Sequence, residues 1–106
     1  MPWHGSDPVG PNAAAGAILT ALTFTNGYPV EVVVALSSTN PFTAILRVKQ
    51  KNNRIARSMQ IPSPGGFFVT PALPQVHMGD GEALEVIARD ILTEEVQATL
   101  FTRPSG

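Results

Sequence analysis

The chain contains no cysteine among its 106 residues. Disulfide bonds, thiolate metal ligands and cysteine nucleophiles are therefore excluded, and packing must hold the fold together, with or without oligomerisation. Without a disulfide framework the sequence leaves the cellular compartment undetermined. Only two histidines are present, which limits imidazole ligands and general bases.

Charged residues are also scarce, at 14% of the chain, whereas hydrophobic residues make up 43%. This balance predicts a folded chain in which much of the surface is uncharged or covered by a partner. A net charge of −1 gives no overall attraction to nucleic acid. The length predicts one domain with a single core.

The apolar stretch at residues 13–24 is too short and too rich in threonine to span a bilayer. No lysine or arginine precedes it, as one would in a signal peptide. The sequence therefore predicts a soluble protein with no cleaved leader and no membrane partner.

Short β-branched runs separated by turn residues at intervals of about ten predict an all-β fold. Alternating side chains predict strands at 17–25, 28–37, 42–51, 55–61, 67–70, 83–90 and 96–102. Asn26 and Gly27 form a hairpin turn signal, whereas Pro71 and Pro74 predict an irregular edge that cannot belong to a central strand. With no amphipathic helix, this pattern indicates a two-sheet antiparallel sandwich, either jelly-roll or immunoglobulin-like.

One face of several predicted strands is consistently apolar and is expected to point inward. These residues are Val30, Val32, Val34 and Leu36; Phe42, Ala44, Leu46 and Val48; Leu84, Val86 and Ala88; and Val96, Ala98 and Leu100. The sandwich domain is expected to comprise residues 17–106.

Residues 1–16, MPWHGSDPVGPNAAAG, contain three prolines, three glycines and the only tryptophan, without strand or helix periodicity. The prolines favour an extended N-terminal arm. Because tryptophan is the residue most enriched among interface anchors, we expect Trp3, His4 and Pro8 to bind another chain. The alternative is that the arm folds back and Trp3 caps its own sandwich.

Basic and acidic residues occupy different segments. The basic group is Arg47, Lys49, Lys51, Arg54 and Arg57, and the acidic group is Asp80, Glu82, Glu85, Asp90, Glu94 and Glu95. The basic hairpin at 47–57 could bind phosphates or an acidic protein, protect a sheet edge, or meet the acidic segment of another subunit. No aromatic residue is interleaved with these cations, so a platform for base stacking is missing and nucleic-acid binding is disfavoured.

The stretch VHMGDGEALEV at residues 76–86 brings His77, Asp80 and Glu82 close together in sequence. Its spacing does not match a calcium loop of the EF-hand type, and too few ligands are available for zinc. We interpret residues 79–81 as a tight turn that enters a strand.

No other segment carries a recognisable catalytic pattern. The glycine-rich segment 62–66 lacks the lysine and the helix of a phosphate-binding loop. No Gly-x-Ser-x-Gly nucleophile motif is present. We therefore expect no catalytic residue, no metal and no cofactor, and hence a protein that is not an enzyme.

The layout of the chain resembles the small decoration or cement proteins of tailed bacteriophage capsids. The resemblance rests on the short cysteine-free sandwich, the proline-rich arm and the closing hairpin GDGEALEVIARD…EEVQATLF, across residues 17–102. It implies a non-enzymatic protein on the capsid exterior that binds the major capsid protein between subunits, often as a trimer, and stiffens the shell. No diagnostic motif carries a functional residue over.

We therefore expect a structural protein, trimeric and attached to a larger assembly through its arm and adjoining loops. Similar layouts occur in carbohydrate-binding modules and in phage tail or spike accessory domains. A sugar platform would have Tyr28 and whichever of Phe67 or Phe68 points outward, fewer aromatics than such a platform usually has. Nucleic-acid binding through residues 47–57 is the third alternative.

Overall fold

The computed structural model describes residues 3–5, 13–23, 28–71, 73–78 and 81–104, with the backbone alone described at 3–5, 28–29, 73–78 and 104. This part of the chain forms no helix, as the sequence predicts, and nine strands, two more than the seven predicted. The strands are β1 (Trp3–Gly5), β2 (Ile18–Thr23), β3 (Tyr28–Ser38), β4 (Phe42–Lys49), β5 (Ile55–Ser63), β6 (Gly66–Val69), β7 (Leu73–Met78), β8 (Ala83–Ala88) and β9 (Gln97–Pro104). Within these ranges there is accordingly no helix long and apolar enough to cross a bilayer.

The strands form two antiparallel sheets. The first sheet has the order β1-β9-β3-β6, with β7 also paired to β3, and the second has the order β2-β8-β4-β5. The pairings are nested: β1 with β9, β2 with β8, β3 with β6 and β7, and β4 with β5. This nesting is the jelly-roll arrangement, so the predicted sandwich is confirmed and the immunoglobulin-like alternative does not apply.

The core lies between the inner faces of the two sheets, where the inward positions predicted from alternation are found. All but Phe42 are buried, with 5% or less of their surface exposed, and Phe42 is half-buried and packs against the core. Leu19, Ile61 and Leu92 complete this cluster from positions outside that set. The hydrophobic free energy of folding therefore comes from one continuous cluster.

Two local expectations are wrong. The alternation predicted for 17–25 is broken by a register shift between Ile18 and Thr20, which leaves Ile18 49% exposed while Leu19 and Thr20 are buried. An extra residue in one strand breaks the period of two in this way. The irregularity predicted around Pro71 and Pro74 is wrong, because β7 (Leu73–Met78) is a strand, but the predicted edge position is confirmed, because β7 pairs with β3 alone in the described chain. An edge position tolerates Pro74 because no second neighbour requires its missing N–H.

The backbone of the N-terminal segment is attached to its own domain. In the pairing of β1 with β9, Trp3 lies opposite Phe101 and His4 lies opposite Leu100. Further along, Ala13 accepts a hydrogen bond from the Leu92 N–H at 3.0 Å. The backbone of residues 3–5 thus folds back onto its own sandwich, which was the alternative to binding another chain. Pro8 and the predicted turn at 26–27 lie outside the described residues.

Candidate protein-binding edge

Strand β5 (Ile55–Ser63) is an edge strand of the second sheet. It pairs with β4 and with no other strand in the described segments. The ten residues 51–60 are all exposed, whereas Ile61 and Ser63 are buried. The C-terminal end of β5 is therefore packed into the sandwich, and the rest has both faces exposed.

The inner side of β5 borders a groove with an apolar floor. Met59 pairs with Leu46, and Arg57 pairs with Val48, so these pairs share the face that points toward the first sheet. The groove has a volume of about 200 Å³ and is lined by Leu46, Val48, Arg57, Ser58, Met59 and Leu84. Residues 46, 48 and 84 belong to the core and are at most 5% exposed, so the exposed apolar side chain that borders this groove is that of Met59.

Two of the five clustered cations are bound to the chain's own acidic segment. Arg47 and Glu85 are register partners on β4 and β8, and the Arg47 Nε lies 2.7 Å from the Glu85 Oε1. The Lys49 Nζ lies 3.9 Å from the other carboxylate oxygen of Glu85. Glu85 is only 5% exposed. At this point opposite charges meet within one chain, and Arg47 and Lys49 chiefly neutralise a buried carboxylate.

The other three cations, Lys51, Arg54 and Arg57, are exposed and make no ion pair with another residue in the described ranges. Arg54 and Lys51 lie in a tight turn. The Gln50 N–H donates to the Arg54 carbonyl at 2.7 Å, and Asn53 adopts the left-handed conformation at φ 67. This turn therefore holds both cations on an ordered scaffold at the tip of the β4–β5 hairpin.

Gly81 brings a second segment against this tip. A Cβ at Gly81 would lie 3.1 Å from the Lys51 Cδ, so the aliphatic part of Lys51 packs on a glycine backbone. Gly81 has φ +76, as expected for the turn predicted at 79–81. Residues 79 and 80 of that turn lie outside the described chain.

The two regions expected to bind a partner lie at opposite edges of the sandwich. β1, with Trp3 and His4, is at one end of the first sheet and lies against β2. β5, with Arg57, is at the far end of the second sheet from β2. The structure thus separates β1 from the basic hairpin. The side chains of Trp3 and His4 are not among those described.

Strand β6 contributes an exposed aromatic residue. Phe67 is 77% exposed and Val69 is 45% exposed on the outer face of the first sheet, whereas Phe68 packs against the core. Of the two phenylalanines considered for a sugar platform, Phe67 is therefore the outward one. The Tyr28 side chain lies outside the description. Among described aromatic side chains, Phe67 alone is highly exposed.

No metal-binding group of three or more His, Cys, Asp or Glu residues is found among the residues that the structure describes. His77 lies in β7 with its backbone paired to Pro29, and Asp80 is outside the described ranges. Neither residue offers a geometry from which coordination can be argued.

The sequence located the cations of this edge but missed its apolar part. Ile55 and Met59 are each 45% exposed, whereas the groove floor is buried as expected. The available signal is weak: Arg57 stands between Ile55 and Met59 at alternate positions, and a register shift pairs Ile55 with Lys49 on the other face. Such a pattern is typical of an edge rather than of a central strand.

No protein-family model matches the sequence, and comparison with curated proteins found no match. Functional inference for this chain therefore depends on its own fold and on the β5 edge.

Proposed function

We propose that this chain is a non-enzymatic structural protein that binds and stabilises a larger protein assembly through the β5 edge. One observation carries the proposal: residues 55–60 are exposed on both faces beside a groove floored by Leu46, Val48 and Leu84. An edge strand presents N–H and C=O groups that can pair with another chain. Burying the groove would also remove apolar surface from water.

The finer form of the proposal is a capsid decoration protein. Its partner is the major capsid protein, its location is the exterior of the virion, and it acts as a homotrimer. The resemblance in layout to bacteriophage cement proteins supports this form, as does the low charge content of 14%. The jelly-roll fold occurs in capsid proteins and in lectins, so it is compatible with the proposal without selecting it.

The two alternatives have less support. A carbohydrate-binding platform or a tail accessory domain that binds sugars would use several exposed aromatics, and Phe67 is the one highly exposed aromatic in the described chain. In a nucleic-acid site at 47–57, Arg47 and Lys49 would already be paired with Glu85, and no aromatic side chain lies between the cations to stack on bases.

Co-sedimentation with empty shells tests the proposal. The shells are assembled from the major capsid protein encoded in the same genome. We expect the wild-type protein to pellet with the shells and to raise the temperature at which they disrupt. Met59→Glu should reduce binding at least tenfold, whereas Ile91→Glu, an equivalent change at a residue that is 65% exposed, should not. A wild-type protein that fails to pellet overturns the capsid proposal.

Sedimentation velocity at several protein concentrations tests the trimer. A mass of three chains is expected, and a monomer at every concentration and on the shell surface overturns this part.

A further inference from the structure

We propose that β5 binds its partner by strand addition, and that the added strand is apolar in its first half and acidic in its last. The inference rests on the proposed function and specifies the partner's chemistry. Three features support it: the hydrogen-bonding directions of β5, the groove beside Met59, and the positions of Arg54 and Arg57.

The hydrogen-bonding groups that face the open side of β5 can be assigned. The Thr43 carbonyl accepts from the Arg89 N–H at 3.1 Å, so Thr43 directs its backbone groups away from β5. Thr43 pairs with Pro62, which has no N–H to offer β4. Because backbone directions alternate along an antiparallel strand, Ser58 and Gln60 share the orientation of Pro62. Their N–H and C=O groups therefore point to the open edge.

The outward orientation of Pro62 limits the length of the added strand. Pro62 lies at an outward position and lacks the donor that a neighbouring strand would need there. The register shift beyond Arg57 interrupts the alternation, so pairing can extend along residues 57–61 and ends at Pro62. An added strand would run antiparallel to β5, so it would start near Ile61 and finish near the hairpin tip.

The side chains that the added strand needs follow from the residues of this protein that lie beside each of its halves. At the start, inward side chains of the added strand meet Met59 and the groove, which has room for one large apolar side chain. At the finish, they meet Arg57 and Arg54, which carry no ion pair in the described structure. Carboxylates at the C-terminal end of the added strand complement these cations.

A second copy of this chain does not fit the same edge. Antiparallel pairing of β5 with β5 would place the hairpin tip of each copy at the Ile61 end of the other. No acidic residue lies at that end of β5 to meet Arg54, and cations on an edge strand are a common protection against such pairing. The edge is therefore suited to a different, acidic chain.

A synthetic peptide tests the inference on the intact protein. The probe is Ser-Val-Thr-Leu-Thr-Val-Thr-Glu-Asp-Glu with blocked ends, and its control has lysine at the three acidic positions. We expect the acidic peptide to slow amide hydrogen exchange at Ser58 and Gln60 at least tenfold at saturation. The lysine peptide should bind at least tenfold more weakly, and Arg57→Glu should remove the preference for the acidic peptide.

Three outcomes would overturn the inference: no slowing at Ser58 and Gln60 with millimolar acidic peptide, equal binding of both peptides, or a β5-paired dimer in sedimentation. These results are separable from failure of the proposed function. Shell binding that is lost in Met59→Glu without any peptide binding would leave the function standing and overturn strand addition. Peptide binding without shell binding would do the reverse.

Discussion

Thr70 and Val34 exchange two hydrogen bonds, one of which uses a side chain in place of a backbone group. The Thr70 N–H donates to the Val34 carbonyl at 2.9 Å, and the Val34 N–H donates to the Thr70 Oγ1 at 3.0 Å. Val34 lies between the part of β3 paired with β6 and the part paired with β7. The Thr70 hydroxyl therefore accepts a hydrogen bond from the buried Val34 N–H in the gap between β6 and β7.

Thr70→Val should lower the free energy of unfolding by about 1–3 kcal/mol, because the Val34 N–H loses its acceptor. Thr70→Ser retains the hydroxyl and should cost clearly less. Urea denaturation followed by tryptophan fluorescence or circular dichroism measures both variants. Equal stability of Thr70→Val and the wild type would contradict the assigned role.

Thr102→Val should increase stability. Thr102 is 1% exposed, and its Oγ1 finds no hydrogen-bond partner in the described structure. Valine has nearly the same shape and removes the cost of burying an unpaired hydroxyl, so we expect a gain of about 1 kcal/mol. The midpoint of thermal unfolding reports the change, with exposed Thr93→Val as the control. A drop in the midpoint would mean that the hydroxyl is paired.

Glu85→Gln should destabilise the protein by about 1–3 kcal/mol, because Arg47 and Lys49 would lose a buried counter-charge. The matched control is Asp90→Asn, which removes an exposed ion pair with Arg89 and should have no measurable effect. Guanidinium denaturation compares the two variants. If both variants have the same free energy of unfolding, the ion pair of Arg47 with Glu85 stabilises the protein no more than an exposed ion pair does.

Comparison of Gly65→Ala with Gly16→Ala distinguishes the cost of backbone strain from the cost of steric contact with the new Cβ. Both glycines have left-handed φ angles, +96 and +87, so alanine should cost about 1–2 kcal/mol at each through strain. Only at Gly65 would the new Cβ also meet backbone, 3.2 Å from the Thr39 carbonyl oxygen. We expect the larger loss at Gly65, and equal losses in thermal unfolding would show that the contact relaxes without cost.

Alternation of side chains was sufficient to predict the fold class and the faces of most strands. Every second residue from Val30 to Leu36 and from Leu84 to Ala88 is apolar, and these residues form part of the core. The pattern failed at β2, where a bulge shifts the register at Ile18, and at β7, where Pro74 masks a strand. Bulges and edge prolines depend on neighbouring strands, which a local pattern does not include.

The candidate edge was predictable only in part. The positions of Arg54 and Arg57 in a hairpin follow from the sequence, but the pairing of Arg47 with Glu85 joins residues 38 apart through strand order. Exposure of side chains on the inner face of β5 depends on how far the first sheet overlaps this strand. Met59 and Ile61 lie on the same face of β5, yet Met59 is exposed and Ile61 is buried.

The opposite locations of β1 and β5 determine how the molecule would carry mechanical load. No strand pairing joins the two sheets in the described chain. Tension applied between β1 and β5 therefore passes from one sheet to the other through the connecting loops and the packed side chains, with no backbone ladder between the sheets. Resistance to such pulling would depend on the tightness of the hydrophobic interior, so a cavity there would weaken the molecule as a tether.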